Sequence, residues 1–180
     1  MRSIYIIMFL IICMVSSCVS SKTPATPEQI AAIKTLIEDK NFNMEFDWAY
    51  PQNTFAVQQV LNSTLMQPGV SSGSAVNLIG NSNFLTIKGD SISSHLPYFG
   101  EQRMAVNYPN TNGGIQFNGL LENYSIKKNK DNSYSVFFNA RSKSELFDVN
   151  LTLYPNQKGS MVLNSAKRTS IRYSGAVTRN

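Results

Sequence analysis

Residues 42–50 read FNMEFDWAY, and their alternation decides the fold class. Phe42, Met44, Phe46, Trp48 and Tyr50 occupy every second position, with Asn43, Glu45, Asp47 and Ala49 between them. Successive strand side chains point to opposite faces, so the spacing predicts a strand with five large apolar groups on one side. The signal recurs downstream. A turn at 51–53 predicts a return strand at 55–61, and residues 67–74 (QPGVSSGS) read as a flexible loop. Residues 83–88 and 91–96 flank Gly89-Asp90, where glycine at the first central position suits a type II′ hairpin. Further strands are predicted at 103–108, 115–121, 124–128, 134–140, 147–153, 161–164 and 167–173, separated by turns at 109–114, 129–132 and 155–159. About ten short strands of this kind predict a mainly β domain, an antiparallel meander curling into a barrel-like or sandwich arrangement.

Immediately upstream the period changes. Thr26-Pro27-Glu28-Gln29 has the form of a capping box with proline at the first helical position. Ile30, Ile33, Leu36 and Ile37 follow at helical spacing, with Lys34, Glu38, Asp39 and Lys40 opposite them. One amphipathic helix of about three turns is predicted. It ends near Asn41, and its expected role is to cap the sheet.

The amino terminus sets the compartment. Arg2 precedes a twelve-residue apolar run, IYIIMFLIICMV, followed by Ser16, Ser17 and Cys18. The run is short for a permanent membrane helix and has the form of a secretory leader. Val15-Ser16-Ser17-Cys18 resembles the lipobox of bacterial lipoproteins, in which the cysteine accepts the lipid. The expected organisation is a signal peptide at 1–17, a lipidated tether at 18–26 and one β-rich domain at 27–180. Cys13 leaves with the leader, and Cys18 is acylated, palmitate included. No thiol pair then remains for a disulfide, so packing must supply the stability. Several acyl chains on one residue make a stable anchor.

The 180-residue chain is long enough to bury a sizeable core. Its formal net charge is +5, which falls to +4 without Arg2. Spread along the chain, that excess argues against nucleic acid as a partner. Lys167, Arg168 and Arg172, the densest basic group, read as the polar side of a strand.

Chemistry-bearing patterns are sparse. Glu45 and Asp47, two apart on a strand, could share a face for acid–base work or metal binding, although a solvated face explains them as well. His95 is the only histidine, too few for a conventional zinc site. A Ser–His–Asp arrangement around it lacks any Gly-x-Ser-x-Gly elbow. No phosphate loop or dinucleotide fingerprint is present, and no metal or cofactor is expected. Leu96-Pro97-Tyr98-Phe99-Gly100 is the most unusual short stretch, two rings between a residue that fixes the backbone and one that frees it. It reads as an aromatic lip on a binding mouth, or as a loop whose rings plug the end of the sheet. Asp90-Ser91-Ile92 resembles the short O-glycosylation acceptor pattern of exported Bacteroidetes proteins, and a plain hairpin turn accounts for it too.

Taken in order, these elements resemble one family. Cys18, the short helix, the aromatic strand and Gly89-Asp90 are followed by the stretch from Leu96 to Gly100. Gly114-Ile115-x-Phe117-x-Gly119 and Arg168-x-x-Ile171-x-Tyr173-x-Gly175 complete the order. The whole is similar to the Bacteroidetes lipoproteins that carry domain of unknown function 4251, over nearly the full mature chain. The resemblance implies an antiparallel β domain in the cell envelope and brings no catalytic residues. Surface-exported lipoproteins of that phylum tend to carry acids just after the lipidated cysteine. Val19-Ser20-Ser21-Lys22 has none, which implies the periplasmic face of the outer membrane.

The function expected from these readings is non-catalytic binding of a small apolar ligand or an envelope protein, with the membrane reached through Cys18. A hydrolase using His95 and a purely structural envelope role are the alternatives.

Overall fold

The computed structural model describes residues 24–57, 59, 71–72, 74–103, 113–143 and 145–180. The leader, Cys18, most of the tether, most of the strand expected at 103–108 and most of the loop at 67–74 lie outside them. Helix α1 (Pro27–Glu38) forms where its capping box predicts. The Gln29 N–H donates to Thr26 Oγ1 at 3.2 Å, and the Thr26 N–H donates to Gln29 Oε1 at 3.0 Å. Both limbs satisfy amides that the first helical turn leaves without partners. Lys40, at φ 48°, turns the chain directly into the first strand. Ile33, Leu36 and Ile37 enter the same apolar core as the sheet.

Eleven strands follow among the described residues: β1 (Asn41–Pro51), β2 (Ser71–Ser72), β3 (Ala75–Asn77), β4 (Phe84–Lys88), β5 (Ser91–His95), β6 (Asn118–Leu120), β7 (Glu122–Lys128), β8 (Tyr134–Ser142), β9 (Glu145–Leu153), β10 (Lys158–Asn164) and β11 (Ile171–Arg179). All pair antiparallel, in the order β6-β5-β4-β1-β11-β10-β9-β8-β7, with β3 joined to β1 and β2. The two outermost strands, β6 and β7, are consecutive in the chain. Residues 118–128 therefore pair with β5 at one end and with β8 at the other. The Gln116 N–H also donates to Ser142 Oγ at 3.3 Å, and the sheet becomes a nearly closed barrel. Its inside is filled by side chains such as Phe42, Met44, Leu85, Ile87, Phe117, Phe147 and Tyr173, all fully buried. Phe117 and Phe147 meet edge to face at 5.6 Å.

The predicted hairpin at Gly89-Asp90 is present. Gly89 has φ 60°, Asp90 has no positive φ, and Lys88 faces Ser91, as a type II′ turn requires.

Four sequence expectations need correction. First, β1 does not keep its five apolar groups on one face. The register with β11 shifts between Phe46 and Trp48, so Asp47 is the extra residue of a β-bulge. Phe42, Met44 and Phe46 point inward, then Ala49 and Pro51 do, while Trp48 and Tyr50 turn to the outer face, half-buried. Gly175 is what permits this. A Cβ there would lie on the Glu45 carbonyl oxygen and within 2.8 Å of the Glu45 carbonyl carbon and Phe46 Cα. Second, residues 55–57 and 59 are helical rather than extended. Thr54 is the reason, because its Oγ1 accepts the Val57 N–H at 3.2 Å in the manner of an N-cap. Third, the last strand spans residues 171–179, not 167–173. Arg168 and Thr169 lie before it, buried, and their backbone pairs instead with residues 101–103, through the Gln102–Arg168 bridge and the Thr169 N–H donating to the Glu101 carbonyl at 2.9 Å. Fourth, inside the expected loop at 67–74, Ser71 and Ser72 pair with β3.

Candidate functional site

The bulge in β1 builds a cleft. Below it β1 pairs with β4, from Asn41 to Glu45; above it β1 pairs with β3, at Trp48 and Ala49. The connection between β3 and β4, residues 78–83, emerges at that division and is fastened to both sides of it. The Leu78 N–H donates to the Asp47 carbonyl at 2.8 Å, and the Phe46 N–H donates to the Asn83 carbonyl at 3.0 Å. Asn83 is itself buried, and its Nδ2 donates to the carbonyls of Leu78 (2.9 Å) and Asn81 (3.1 Å). The loop is thus held rigidly against the sheet.

Between loop and sheet lies a cleft of about 490 Å³ on the outer face of the barrel, lined by Asn43, Glu45, Asp47, Asn81, Asn83, Phe84 and Thr86, among others. Ile79 stands at its rim and is 67% exposed. Thr86 Oγ1 donates to Asn43 Oδ1 at 2.8 Å across the floor. Glu45 and Asp47 form no ion pair among the described residues. The cleft therefore presents two carboxylates without a counter-charge in a basic chain. Alternation had singled out this acid pair. The loop residues that complete the cleft were hidden, since 78–82 carried no prediction and Asn83 was expected to begin a strand. Among the described residues no three His, Cys, Asp or Glu side chains gather as metal ligands.

The stretch from Leu96 to Gly100 lies at the barrel end where β5 and β1 finish and β11 begins. Leu96 pairs with Ile115 and is buried, and Pro97, Tyr98, Phe99 and Gly100 are half-buried. The Tyr98 hydroxyl lies 2.9 Å from the Thr169 carbonyl, 3.0 Å from Thr169 Oγ1 and 3.0 Å from the Glu101 carbonyl. Gly100 makes room for that phenol, since a Cβ there would collide with the Tyr98 ring and with Thr169 Oγ1. The Arg168 guanidinium lies over the Tyr98 ring at 4.9 Å and forms a buried ion pair with Glu145 at 3.0 Å. Arg168 Nη1 also donates to the Gly113 carbonyl at 2.6 Å, and Ser165 Oγ donates to Glu145 Oε1. Tyr173 Oη donates to the Pro97 carbonyl at 2.6 Å from inside the barrel. Burial holds the Tyr98 phenol above its ordinary range against the opposing pull of Thr169 and Arg168, and burial raises that of Tyr173.

The remaining candidates are dispersed. His95 sits exposed at the end of β5 with Nδ1 3.0 Å from Gln116 Nε2; among the described residues neither a hydroxyl nor a carboxylate bonds to its ring. Ser91 is exposed at the β4–β5 turn, and Asp90 beside it pairs with Lys40 at 2.6 Å. The basic group does not share a strand face. Arg168 is in its buried ion pair, while the Arg172 guanidinium lies over the outward Tyr50 ring at 4.5 Å.

A nearly closed antiparallel barrel, capped by one N-terminal helix and cleft at a bulge of its first strand, defines a β-barrel class of domain. Among the described residues no helix is long and apolar enough to cross a membrane. Within that class the chain belongs to the DUF4251 family, a domain of unknown function whose model matches residues 25–177. It is similar in structure to a DUF4251 family protein from Bacteroides eggerthii, with a TM-score of 0.56 and 13% identity over 84% of this chain and 88% of that one. At that identity the likeness speaks for the fold. No curated protein matches the sequence.

Proposed function

We propose that this chain is an exported lipoprotein, cut before Cys18 and anchored through it on the periplasmic face of the outer membrane, that binds a protein partner without catalysis. The binding site in this reading is the cleft at the β1 bulge, and the partner presents a basic segment. One observation carries it: a cleft of about 490 Å³ offers Glu45 and Asp47 without a cationic neighbour among the described residues. Opposite charges across an interface steer association and fix its register. The filled barrel interior favours this version over a small apolar ligand held inside. The anchor rests on the leader, the small residues before Cys18 and the polar tether.

Two measurements test the two halves. Mass spectrometry of the mature amino terminus should find diacylglycerol and acyl chains on Cys18; an unmodified Met1 would overturn the anchor. Calorimetry with trilysine should show binding that weakens steeply with salt and disappears in the Glu45→Gln, Asp47→Asn double variant. Binding unchanged by either, or none at low salt, would remove the cleft from the reading.

A further inference from the structure

A second bulge opens a second cleft, independent of the first. The β7–β8 register shifts between Glu122 and Ser125, and Asn123 takes φ 56°. Its side chain is thereby aimed over β8, where Nδ2 donates to Asn139 Oδ1 at 2.8 Å. Asn139 Nδ2 donates in turn to Asp148 Oδ1 at 2.6 Å. Asn139, Asp148 and Asn164 face one another across β8, β9 and β10, and Phe137 faces Asn150 in the next row. These residues line a cleft of about 300 Å³ on the outer face of the barrel.

The polar capacity of this cleft is unfilled. Asn150 Oδ1 is sealed beneath the lining with no donor, which costs free energy, so the groups open to a ligand are those around it. Asn164 makes no side-chain hydrogen bond among the described residues, and Asp148 meets no cation there. Phe137 keeps 39% of its surface exposed beside these groups.

The chemistry of the lining selects the ligand class. No lysine or arginine lines the cleft, so an anion gains nothing there. Its one carboxylate stands among neutral amides with no second acid in the lining, so a cation meets a single charge only. Amides and a carboxylate together ask for groups that both donate and accept, which is what hydroxyls do. Strands lie about 4.8 Å apart, which spaces the polar groups at a distance comparable to the breadth of a sugar ring. The exposed Phe137 ring offers an apolar platform for the C–H face of such a ring. The volume is at the lower end for ligand sites and suits one or two sugar units. We infer that this cleft is a subsite for a neutral saccharide, its hydroxyls held by Asp148 and Asn164 and its ring face laid on Phe137.

The test is an NMR titration of the lipidated chain, in micelles of a detergent without a sugar headgroup, with N,N′-diacetylchitobiose and with maltose. At least one disaccharide should give saturable shifts at Phe137, Asn139 and Asn164, with dissociation in the millimolar range, about what a shallow polar site provides. Phe137→Ala and Asn164→Ala should each weaken that binding by about tenfold or more. Asn164 bonds to no described side chain, so its variant keeps the fold intact. Glu45→Gln should leave saccharide binding unchanged, which separates this site from the acidic cleft. Absence of saturable binding by both sugars, or binding indifferent to Phe137→Ala and Asn164→Ala, overturns the inference.

Discussion

The two ends of the barrel are closed by opposite chemistry. At the helix end, Ile33, Leu36 and Ile37 reach into the core, and the charged contacts around them, Lys40 with Asp90 and Arg179 with Asp39, stay largely exposed. Closure there is apolar area removed from water, and its strength scales with that area. Tyr124 adds one hydrogen bond, its hydroxyl donating to the Ile37 carbonyl at 3.0 Å near the end of α1. At the other end the closure is polar and buried: Glu145, Arg168, Tyr98 and Thr169 satisfy one another and the backbone around them. A buried network of this kind adds little when complete and costs much when one member is lost. The apolar end tolerates change by degrees, whereas the polar end fixes one arrangement.

That contrast can be broken most sharply at Arg168. Arg168→Met leaves Glu145 buried and unpaired, and denaturant unfolding should show a loss of about 3–5 kcal/mol. Pairing it with Glu145→Leu should recover most of the loss; a double variant as unstable as the single one would mean that the network itself supplies net stability. At the apolar end, Ile37→Ala should cost about 3 kcal/mol, and Ile37→Val well under half of that. Equal losses for the two would contradict a closure governed by buried area.

Alkaline pH sharpens the comparison because buried tyrosines stand at both ends. Burial raises the phenols of Tyr124 at one end and of Tyr98 and Tyr173 at the other. A raised folded pKa means the unfolded chain releases the proton first. The stability these groups contribute is therefore whole below pH ~10 and falls as pH climbs above it. For the fully buried Tyr173 the slope should approach about 1.4 kcal/mol per pH unit. Tyr173→Phe should flatten the decline seen in melting curves between pH ~10 and ~12, and an unchanged slope would mean the phenol already ionises in the folded chain. The smallest effect belongs to the helix start. Thr26→Ala removes one limb of the capping box and should lower stability by about 1 kcal/mol, while Thr26→Ser should be nearly silent.

What the sequence disclosed divides along similar lines. Features set by neighbours in the chain were legible: the capping box at Thr26, the helical spacing of Ile33 to Ile37, the alternation of Phe42 to Phe46 and the turn at Gly89. Thr54 was a local signal that the alternation of 55–61 obscured. Features set by distant partners were not legible. The bulge at Asp47 answers to the close approach of Gly175, and the burial of Arg168 answers to Glu145. Both clefts inherit this, because each arises where a register shift meets residues from another part of the chain. The acid pair was visible in the sequence, but its cleft depends on a loop docked across the bulge.

The pairing of β1 with β11 carries one more consequence. On one side the first long strand finds its neighbour in residues 171–179, so a nine-pair ladder joins the beginning of the sheet to its last strand. Contacts so remote along the chain are slow to form, because a long loop must close before they repay the ordering. A polypeptide emerging amino terminus first cannot seal its barrel until the nine residues 171–179 have followed, and it stays open and threadable up to that point.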